Sequence, residues 1–171
     1  QAMGLQAVKE PIMRAMNKMI SLQQGEPYAG WADQYTVDDL KPAHARSYEP
    51  RSVNTGTTVR LVNLMMDYYK LTADTRFLSG IPAAIRFLES MKLPESDVKK
   101  WKRQSTNPEA ILVPRFVDPD TGKPLYVHRK GSNVKNGTYY IDQNIENTIA
   151  HYNSATFVNP GAPRQIGRAH V

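Results

Sequence analysis

The sequence predicts a mainly α-helical fold that contains one short, irregular β-hairpin. Apolar residues recur every three or four positions through most of the first hundred residues, which is the period of an amphipathic helix. Beyond Asn107 this period gives way to short β-prone runs on either side of a strong turn sequence. With 171 residues the chain is one domain or part of one, and it is long enough to form a real core.

The first helix is predicted over residues 1–22. Pro11 interrupts it, and because proline removes a backbone hydrogen bond we expect a kink there or a helix start near Glu10. The apolar stripe of this segment is typical of core packing, its methionines included. The stripe consists of Leu5, Val8, Ile12, Met16, Met19 and Ile20.

Two further helices are predicted after a long connection. The second helix covers residues 57–71, where the apolar positions keep the helical period. The third helix is predicted over residues 77–88, where the apolar positions keep the same period. Its N-cap is Thr72 or Asp74, and Pro94 ends it.

The hairpin is predicted where residues 111–117 and 125–128 flank the turn at 118–122. Residues 138–152 are mixed, but isoleucines at a spacing of four favour a helix there. Between the first two helices lies a non-periodic segment, residues 23–55. It is several times longer than an ordinary helix–helix connection of about 2 to 8 residues, and connections of that length are more often functional.

The composition excludes several classes of protein. No apolar run approaches the roughly 20 residues needed to span a bilayer, so we expect no membrane partner. The chain has no cysteine, which excludes disulfides and cysteine-based zinc sites. Its formal charge of +6 suits an acidic polymer, either nucleic acid or polyuronate, and does not choose between them.

The long connection carries the most informative motif. Residues 31–36 read WADQYT and residues 40–49 read LKPAHARSYE. They resemble the Trp-Cys-x-Gln-His-Asp and Leu-x-Pro-Ala-x-Ala-Arg-x-Tyr-Glu signature of the pectate lyases of polysaccharide lyase family 10. The cysteine of that family is Ala32 here, and its His-Asp pair is replaced by Tyr35 and Thr36.

A second match lies in the predicted hairpin, where residues 114–131 read PRFVDPDTGKPLYVHRKG. They align without a gap to the family's Ala-Arg-Phe-Tyr-Glu-x-Gly-Thr-Asn-Arg-Pro-Ile-Phe-x-Gly-Arg-Asp-Gly. Lys123 replaces an arginine of the family and His128 replaces a glycine. The resemblance spans most of residues 1–152, with these two motifs as its specific parts.

The resemblance implies a pectate lyase that cleaves polygalacturonate by β-elimination with the help of calcium (Ca2+). In that reaction a base removes the C-5 proton of a uronate while cations neutralise the adjacent carboxylate. It also implies a mainly helical (α/α) toroid domain, of which residues 1–165 would be the C-terminal portion. We expect a secreted or periplasmic monomer that binds neither nucleic acid nor membrane.

By the same resemblance, Arg46 is the catalytic base, and Arg115 and Arg129 bind uronate carboxylates. An arginine can hold a carboxylate through two parallel hydrogen bonds. A guanidinium keeps its proton to about pH 12. Arg46 can therefore act as a base only if nearby positive charge disfavours its protonated form. Lys123 is expected to bind substrate, and Trp31 either stacks on a sugar or anchors the loop in the core.

The remaining polar residues of the two motifs are expected to have lesser roles. Glu49 would orient Arg46 through an ion pair, Tyr48 would support the local structure, and His44 would be exposed. His128, where the family has glycine, is a further candidate for contact with substrate.

No metal site is predicted within the chain. Asp33, Asp38 and Asp39 do not follow the ligand spacing of an EF-hand. The resemblance places the calcium-binding aspartates upstream of residue 1, so we expect a fragment that is inactive alone. Residues 166–171 read like a translated sequencing adapter, and we expect them to be an artefact.

Other functions stay open at this point. A non-catalytic relative would bind an acidic polysaccharide without cleaving it, and a related lyase would act on another polyuronate. Nucleic-acid binding is suggested only by basic residues around Trp101, and no nucleic-acid motif accompanies them. These residues are Lys99, Lys100, Lys102 and Arg103.

Overall fold

A computed structural model describes residues 2–101, 104–131, 138–149 and 154–161, with the backbone alone for residues 2–6. The helices are α1 (Ala2–Ser21), α2 (Thr55–Thr72), α3 (Ile81–Ser90) and α4 (Glu95–Lys100), and a 3-10 turn (Thr75–Leu78) precedes α3. The strands are β1 (Val53–Asn54), β2 (Ile111–Pro114), β3 (Phe116–Val117), β4 (Pro124–Lys130), β5 (Thr138–Asp142) and β6 (Ala155–Val158).

The predicted mainly helical toroid is wrong. Over the described ranges the chain is about 38% helical and 19% strand, and its strands form two antiparallel sheets. One sheet has the order β1-β3-β4-β5, and the other pairs β2 with β6. Most of the strands are short, and two of the four strand pairs, β1–β3 and β2–β6, join segments that lie far apart in the chain. The helical period of the first half could not reveal these pairings.

Two of the predicted helices are confirmed by α1 and α2. The α1 helix begins at Ala2 and continues through Pro11, so the alternative start near Glu10 is wrong. The α2 helix begins after Asn54, whose side chain accepts a hydrogen bond from the backbone N–H of Thr57. It ends at Ala73, which adopts a left-handed conformation with φ 57°.

The helical core forms where α2, the 3-10 turn and α3 pack beneath the second half of α1. Among the described side chains of the predicted α1 stripe, Met16 is 3% exposed and Met19 and Ile20 are partly buried, whereas Val8 and Ile12 are 50% and 52% exposed. The third predicted helix is divided, because Asp74 caps the 3-10 turn and α3 begins separately at Ile81. The buried members of this core are Met16, Trp31, Val62, Met65, Met66, Phe77, Ile81, Ala84 and Ile85.

The predicted β-hairpin is confirmed by β3 and β4. The backbone N–H of Asp118 donates to the Lys123 carbonyl at 2.9 Å, which closes the turn. Gly122 has φ 68°, and a Cβ there would lie 2.2 Å from the Tyr28 ring, so the turn requires glycine. The first part of the predicted strand, β2, leaves the hairpin and pairs with β6.

The helix predicted over residues 138–152 is wrong at its start. Residues 138–142 form β5, an edge strand that pairs with β4 and places Tyr139 opposite Arg129. The spacing of four between isoleucines indicated a helix, but pairing with β4 determines the conformation of this short segment. Residues 132–137, 150–153 and 166–171 lie outside the described part of the chain, and so does the expected adapter artefact.

None of the helices in the described ranges combines the length and the hydropathy that a membrane span requires.

Candidate functional site

Residues 40–49 form a tight loop before β1. Leu40 adopts a left-handed backbone conformation with φ 56°, which costs a non-glycine residue about 1–2 kcal/mol. Pro42, two residues later, is buried. Farther on, the backbone N–H of Glu49 donates to the Arg46 carbonyl at 2.8 Å and closes a turn. The strained residue and the turn together fix the direction in which the loop presents Arg46.

Glu49 holds the Arg46 side chain. The Nε and Nη2 atoms of Arg46 donate to the two carboxylate oxygens at 3.0 and 2.7 Å, and its backbone N–H donates to one of them at 3.1 Å. The Glu49 side chain is only 11% exposed, whereas that of Arg46 is 63% exposed. A carboxylate anchored in the protein therefore presents the guanidinium at the surface.

An aromatic cluster supports this arginine from the side. The guanidinium carbon of Arg46 lies 5.0 Å from the centroid of the Tyr48 ring. Tyr48 packs edge-on against Tyr139 of β5, with 5.1 Å between ring centroids. Both tyrosines pack against the apolar cluster that contains Phe116 of β3. The three rings, Tyr48, Phe116 and Tyr139, are called the aromatic cluster below.

Arg115 reaches the same cluster from the bend between β2 and β3. Its backbone N–H donates to the Ser154 carbonyl at 2.9 Å, and its carbonyl accepts from the Thr55 N–H at 3.0 Å. These hydrogen bonds fix the backbone of Arg115 between two other segments. Its guanidinium carbon lies 5.6 Å from the centroid of the Phe116 ring.

Arg129 approaches the cluster from β4. It pairs with Tyr139 of β5, and residues directly opposite on neighbouring strands project to the same face of a sheet. Val127, two residues earlier on that face, belongs to the apolar cluster itself. Within the described residues, no hydrogen bond or ion pair engages the Arg129 side chain.

Three arginines from a loop, a strand bend and a strand thus gather around one aromatic cluster. We call this surface, made of Arg46, Arg115, Arg129 and the aromatic cluster, the arginine face. Guanidinium groups bind carboxylates through two parallel hydrogen bonds. The partly exposed rings of Tyr48 and Tyr139 offer apolar contact area, whereas the Phe116 ring is buried. The arginine face is therefore suited to a flexible ligand that carries several carboxylates.

Two predicted substrate-binding residues lie apart from the arginine face. Trp31 is 1% exposed, and its Nε1 donates to the Met19 carbonyl at 2.7 Å, so it anchors the loop in the core and its ring is closed to a sugar. Lys123 lies in the hairpin turn, six residues from Arg129. At the usual rise of a strand, that separation is about 20 Å.

The aspartates of the long loop take part in local structure. Asp33 accepts hydrogen bonds from the Asn54 side chain at 2.6 Å and from the Thr57 hydroxyl. Asp39 forms an ion pair with Lys41 at 3.1 Å. Across residues 2–101, 104–131, 138–149 and 154–161, no three His, Cys, Asp or Glu side chains gather in a way that could hold a metal ion.

Tyr139 belongs to the arginine face but was not among the predicted site residues. This ring connects Tyr48 to the strand that carries Arg129, but it lies in the segment predicted as a helix. The signal that could have found it is the β-prone composition of residues 138–142, where two tyrosines and an isoleucine follow a threonine.

The basic piece near Trp101 is partly neutralised by its own helix. Lys99 pairs with Glu95 at 3.0 Å, and Lys100 pairs with Asp97 at 3.8 Å. Trp101 packs against an apolar cluster that includes Leu93. Lys102 and Arg103 fall in the gap between the described ranges. These contacts give no support to a nucleic-acid surface.

The comparison with protein families agrees with the arginine face. The family model described as pectic acid lyase matches residues 6–151, most of the chain and all members of the arginine face. This chain belongs to the pectic acid lyase family. Membership in the pectic acid lyase family implies a lyase-type domain whose substrate is a polyuronate. No curated protein gives a significant match to the chain.

Proposed function

We propose that this chain is part of a pectate lyase of polysaccharide lyase family 10 that cleaves polygalacturonate by β-elimination. The observation that carries the proposal is the convergence of Arg46, Arg115 and Arg129 on one aromatic cluster. Polygalacturonate carries a carboxylate on every sugar, so neighbouring sugars can engage different arginines at once. Such a repeating anion matches the arginine face better than a single small acid would.

In the proposed reaction, Arg115 and Arg129 bind uronate carboxylates and neutralise the charge that develops beside C-5. The C-5 proton passes to a base, a double bond forms between C-4 and C-5, and the bond from C-4 to the glycosidic oxygen breaks. The leaving oxygen then takes up a proton. Fixed cations aimed at the developing charge lower the barrier most when they are already oriented. The backbone hydrogen bonds of Arg115 support this role, because they fix the main chain that carries its side chain.

We assign the proton abstraction to Arg46. The ion pair between Arg46 and Glu49 affects this role because it influences the protonation of Arg46. The Glu49 carboxylate favours the protonated guanidinium, because an opposite charge stabilises the charged form. Only the deprotonated form can accept the C-5 proton. Proton abstraction by Arg46 is therefore expected to need alkaline solution. Glu49 opposes the deprotonation of Arg46, and the positive charges of Arg115 and Arg129 assist it.

The same ion pair favours a second candidate function. A permanently protonated Arg46 would bind a carboxylate and abstract no proton, so the chain would bind acidic polysaccharide without cleaving it. A lyase for another polyuronate is less favoured, because the departures from the family pattern at Lys123 and His128 lie off the arginine face.

A calcium requirement and a secreted or periplasmic location are also part of the proposal. No step above passes through calcium, because no three acidic or histidine side chains gather within the described residues. The requirement is tested by chelation, and the location is tested by fractionating cells that express the complete gene.

The deciding experiment follows the ultraviolet absorbance of the unsaturated uronate product. The chain, and the same chain extended upstream along its gene, are incubated with polygalacturonate, with calcium or with a chelator. We expect product from the extended protein, with loss of activity on chelation. Binding of polygalacturonate by a folded extended protein without product would establish the non-catalytic alternative. If neither binding nor product appears, both proposals are overturned.

A further inference from the structure

The opposite face of the β4–β5 ribbon carries an exposed tyrosine that the proposed reaction does not use. Tyr140 of β5 pairs with His128 of β4, and their rings stack with 5.0 Å between centroids and 17° between planes. His128 is 3% exposed, whereas Tyr140 is 47% exposed. One side of the tyrosine ring therefore covers the buried imidazole, and the ring is held as a flat surface toward solvent.

A carboxylate lies beside this ring and is fixed in place. The Oδ1 atom of Asp142 lies 2.7 Å from Nε2 of His128 and accepts the backbone N–H of Asn144 at 2.8 Å. The Asp142 side chain is 45% exposed. In the described part of the chain, its second oxygen, Oδ2, takes part in no hydrogen bond or ion pair. That oxygen is an oriented acceptor for a hydroxyl group.

A cation lies on the other side of the ring. Lys130 follows His128 by two residues on β4, so strand alternation places it on the same face, about 7 Å farther along the strand. Lys130 is exposed, and none of the described residues forms an ion pair with it. The face thus presents an acceptor, an aromatic ring and a cation in a row.

A half-exposed tyrosine alone would be unremarkable, since apolar atoms make up much of any protein surface. What distinguishes Tyr140 is that its ring and the neighbouring carboxylate are both fixed through one buried histidine. Groups that are ordered before the ligand arrives lose little entropy on binding. His128 is also the position at which the sequence departs from the family's glycine.

We propose that Tyr140, Asp142 and Lys130 form a second, non-catalytic subsite that binds one uronate residue of an acidic polysaccharide. The C–H groups of the sugar ring would lie on the negative face of the Tyr140 ring. A sugar hydroxyl would donate to Oδ2 of Asp142, and the sugar carboxylate would pair with Lys130. The inference rests on the proposed function for the class of ligand, and it is independent of cleavage.

The test is a titration of the chain with trigalacturonate, followed by NMR at the backbone amides of residues 140–142. To isolate this subsite, it is performed in an Arg46→Ala/Arg129→Ala background, which weakens the arginine face. We expect saturable shifts at these amides. Tyr140→Ala should weaken the binding there by about tenfold, the scale of one aromatic contact.

Matched variants separate binding from folding. Tyr140→Phe keeps the ring that covers His128 and should bind like the parent. Ile141→Ala changes a side chain that is 41% exposed on the opposite face and should also leave the affinity unchanged. Lys130→Gln should remove the preference for trigalacturonate over neutral galactotriose.

Two results would overturn the inference. One is an unchanged affinity when Tyr140→Ala is added to the Arg46→Ala/Arg129→Ala background. The other is equal binding of galactotriose and trigalacturonate at residues 140–142 in that background. The readout is binding at residues 140–142, so the result does not depend on whether the protein cleaves polygalacturonate. Failure here likewise leaves the elimination assay unaffected.

Discussion

At the scale of single residues, the arginine face depends on side chains that different parts of the backbone hold. Arg46 is presented by Glu49, Arg115 by hydrogen bonds to two other segments, and Arg129 by its place on β4. The sequence motifs identified all three arginines. They could not show that one aromatic cluster joins them, because Tyr139 lies outside both motifs.

Replacing single arginines tests their separate roles in the extended protein. Arg46→Ala should lower turnover by about 100-fold or more, the range that a general base contributes. Arg129→Ala should mainly weaken substrate binding, by about tenfold or more, because it loses a charged hydrogen bond. Steady-state kinetics on polygalacturonate measures both effects.

The control for these variants is Arg60→Ala. Arg60 is exposed on α2, and its side chain donates to the Thr57 hydroxyl at 2.8 Å. The variant removes the same charge away from the arginine face, so its kinetics should match the parent. Unchanged turnover in Arg46→Ala would exclude Arg46 as the base.

The Glu49–Arg46 pair makes a prediction about pH. In Glu49→Gln the charge that favours protonated Arg46 is gone, so Arg46 should lose its proton at lower pH. The alkaline activity of the extended protein should then begin at lower pH than in the parent. The Tyr48 ring that lies beside the Arg46 guanidinium is retained in this variant.

Asp120→Asn provides the matched control for the pH profile. Asp120 also holds an arginine through two hydrogen bonds, to Arg51 at 2.7 and 3.1 Å, and this pair holds the pKa of Asp120 below its ordinary value. Breaking the Arg51–Asp120 pair should leave the pH dependence of activity unchanged. A Glu49→Gln profile identical to that of the parent would mean that Arg46 does not titrate during catalysis.

At the scale of elements, the long loop is fastened to the helices where Gly30 passes close to α2, β1 and α3. A Cβ at Gly30 would lie 2.5 Å from the Thr58 hydroxyl, 2.6 Å from Val53 and 2.8 Å from Phe87. All three distances are too short for a real contact. The loop therefore requires glycine here for close approach, and Trp31 enters the core at the next position.

Gly30→Ala should consequently destabilise the fold by about 1–3 kcal/mol, the usual cost of overpacking a core. Gly25→Ala is the matched control, since nothing lies within 4 Å of a Cβ at that position in the same loop. Denaturant unfolding measures both free energies. Equal stability of the two variants would show that the loop is not packed against these elements.

Elements with a strong local signal were predictable, and those that depend on pairing were not. The α1 and α2 helices and the β3–β4 turn follow from periodicity and turn residues. The β2–β6 pair and β5 do not, because a strand of four or five residues gains its stability from its partner. The same reason explains why the toroid prediction failed in the second half of the chain.

At the scale of the whole molecule, the partly buried Tyr35 and the buried Tyr126 predict how stability changes in alkaline solution. Burial raises the pKa of Tyr35 from 10.0 to about 12, against the hydrogen bond that its oxygen accepts from Ala32. Burial likewise raises the pKa of Tyr126. Both phenols are therefore harder to ionise in the folded state than in the unfolded state.

The sign of the pH dependence follows from proton binding. Below pH 10 both states keep the Tyr35 proton, so the free energy of unfolding does not change with pH through this group. Between pH 10 and about 12 the unfolded state releases the proton while the folded state keeps it, so the free energy of unfolding falls. Chemical unfolding at a series of pH values should show this loss.

Tyr35→Phe separates this effect from general alkaline damage. The variant loses the hydrogen bond to the Leu22 carbonyl, so it should be less stable at neutral pH. It should also lose less stability than the parent between pH 10 and about 12. An identical slope in both proteins would exclude Tyr35 as a source of the alkaline loss.

The sequence by itself determined the local features of this protein. Helical periodicity set α1 and α2, turn chemistry set the hairpin, and two motifs pointed to Arg46, Arg115 and Arg129 and to the pectic acid lyase family. Each of these signals is contained in a short stretch of chain. Local propensity and local motifs can therefore be read without knowing which segments meet.

Only the tertiary structure determined which of these residues lie close to one another. It buried Trp31 and brought the arginines to one aromatic cluster through β1–β3 and β4–β5 pairing. It also created the Tyr140 face, since strand alternation sends neighbouring residues to opposite sides. These outcomes depend on long-range pairing and burial, whose free energy arises only when distant segments pack against each other.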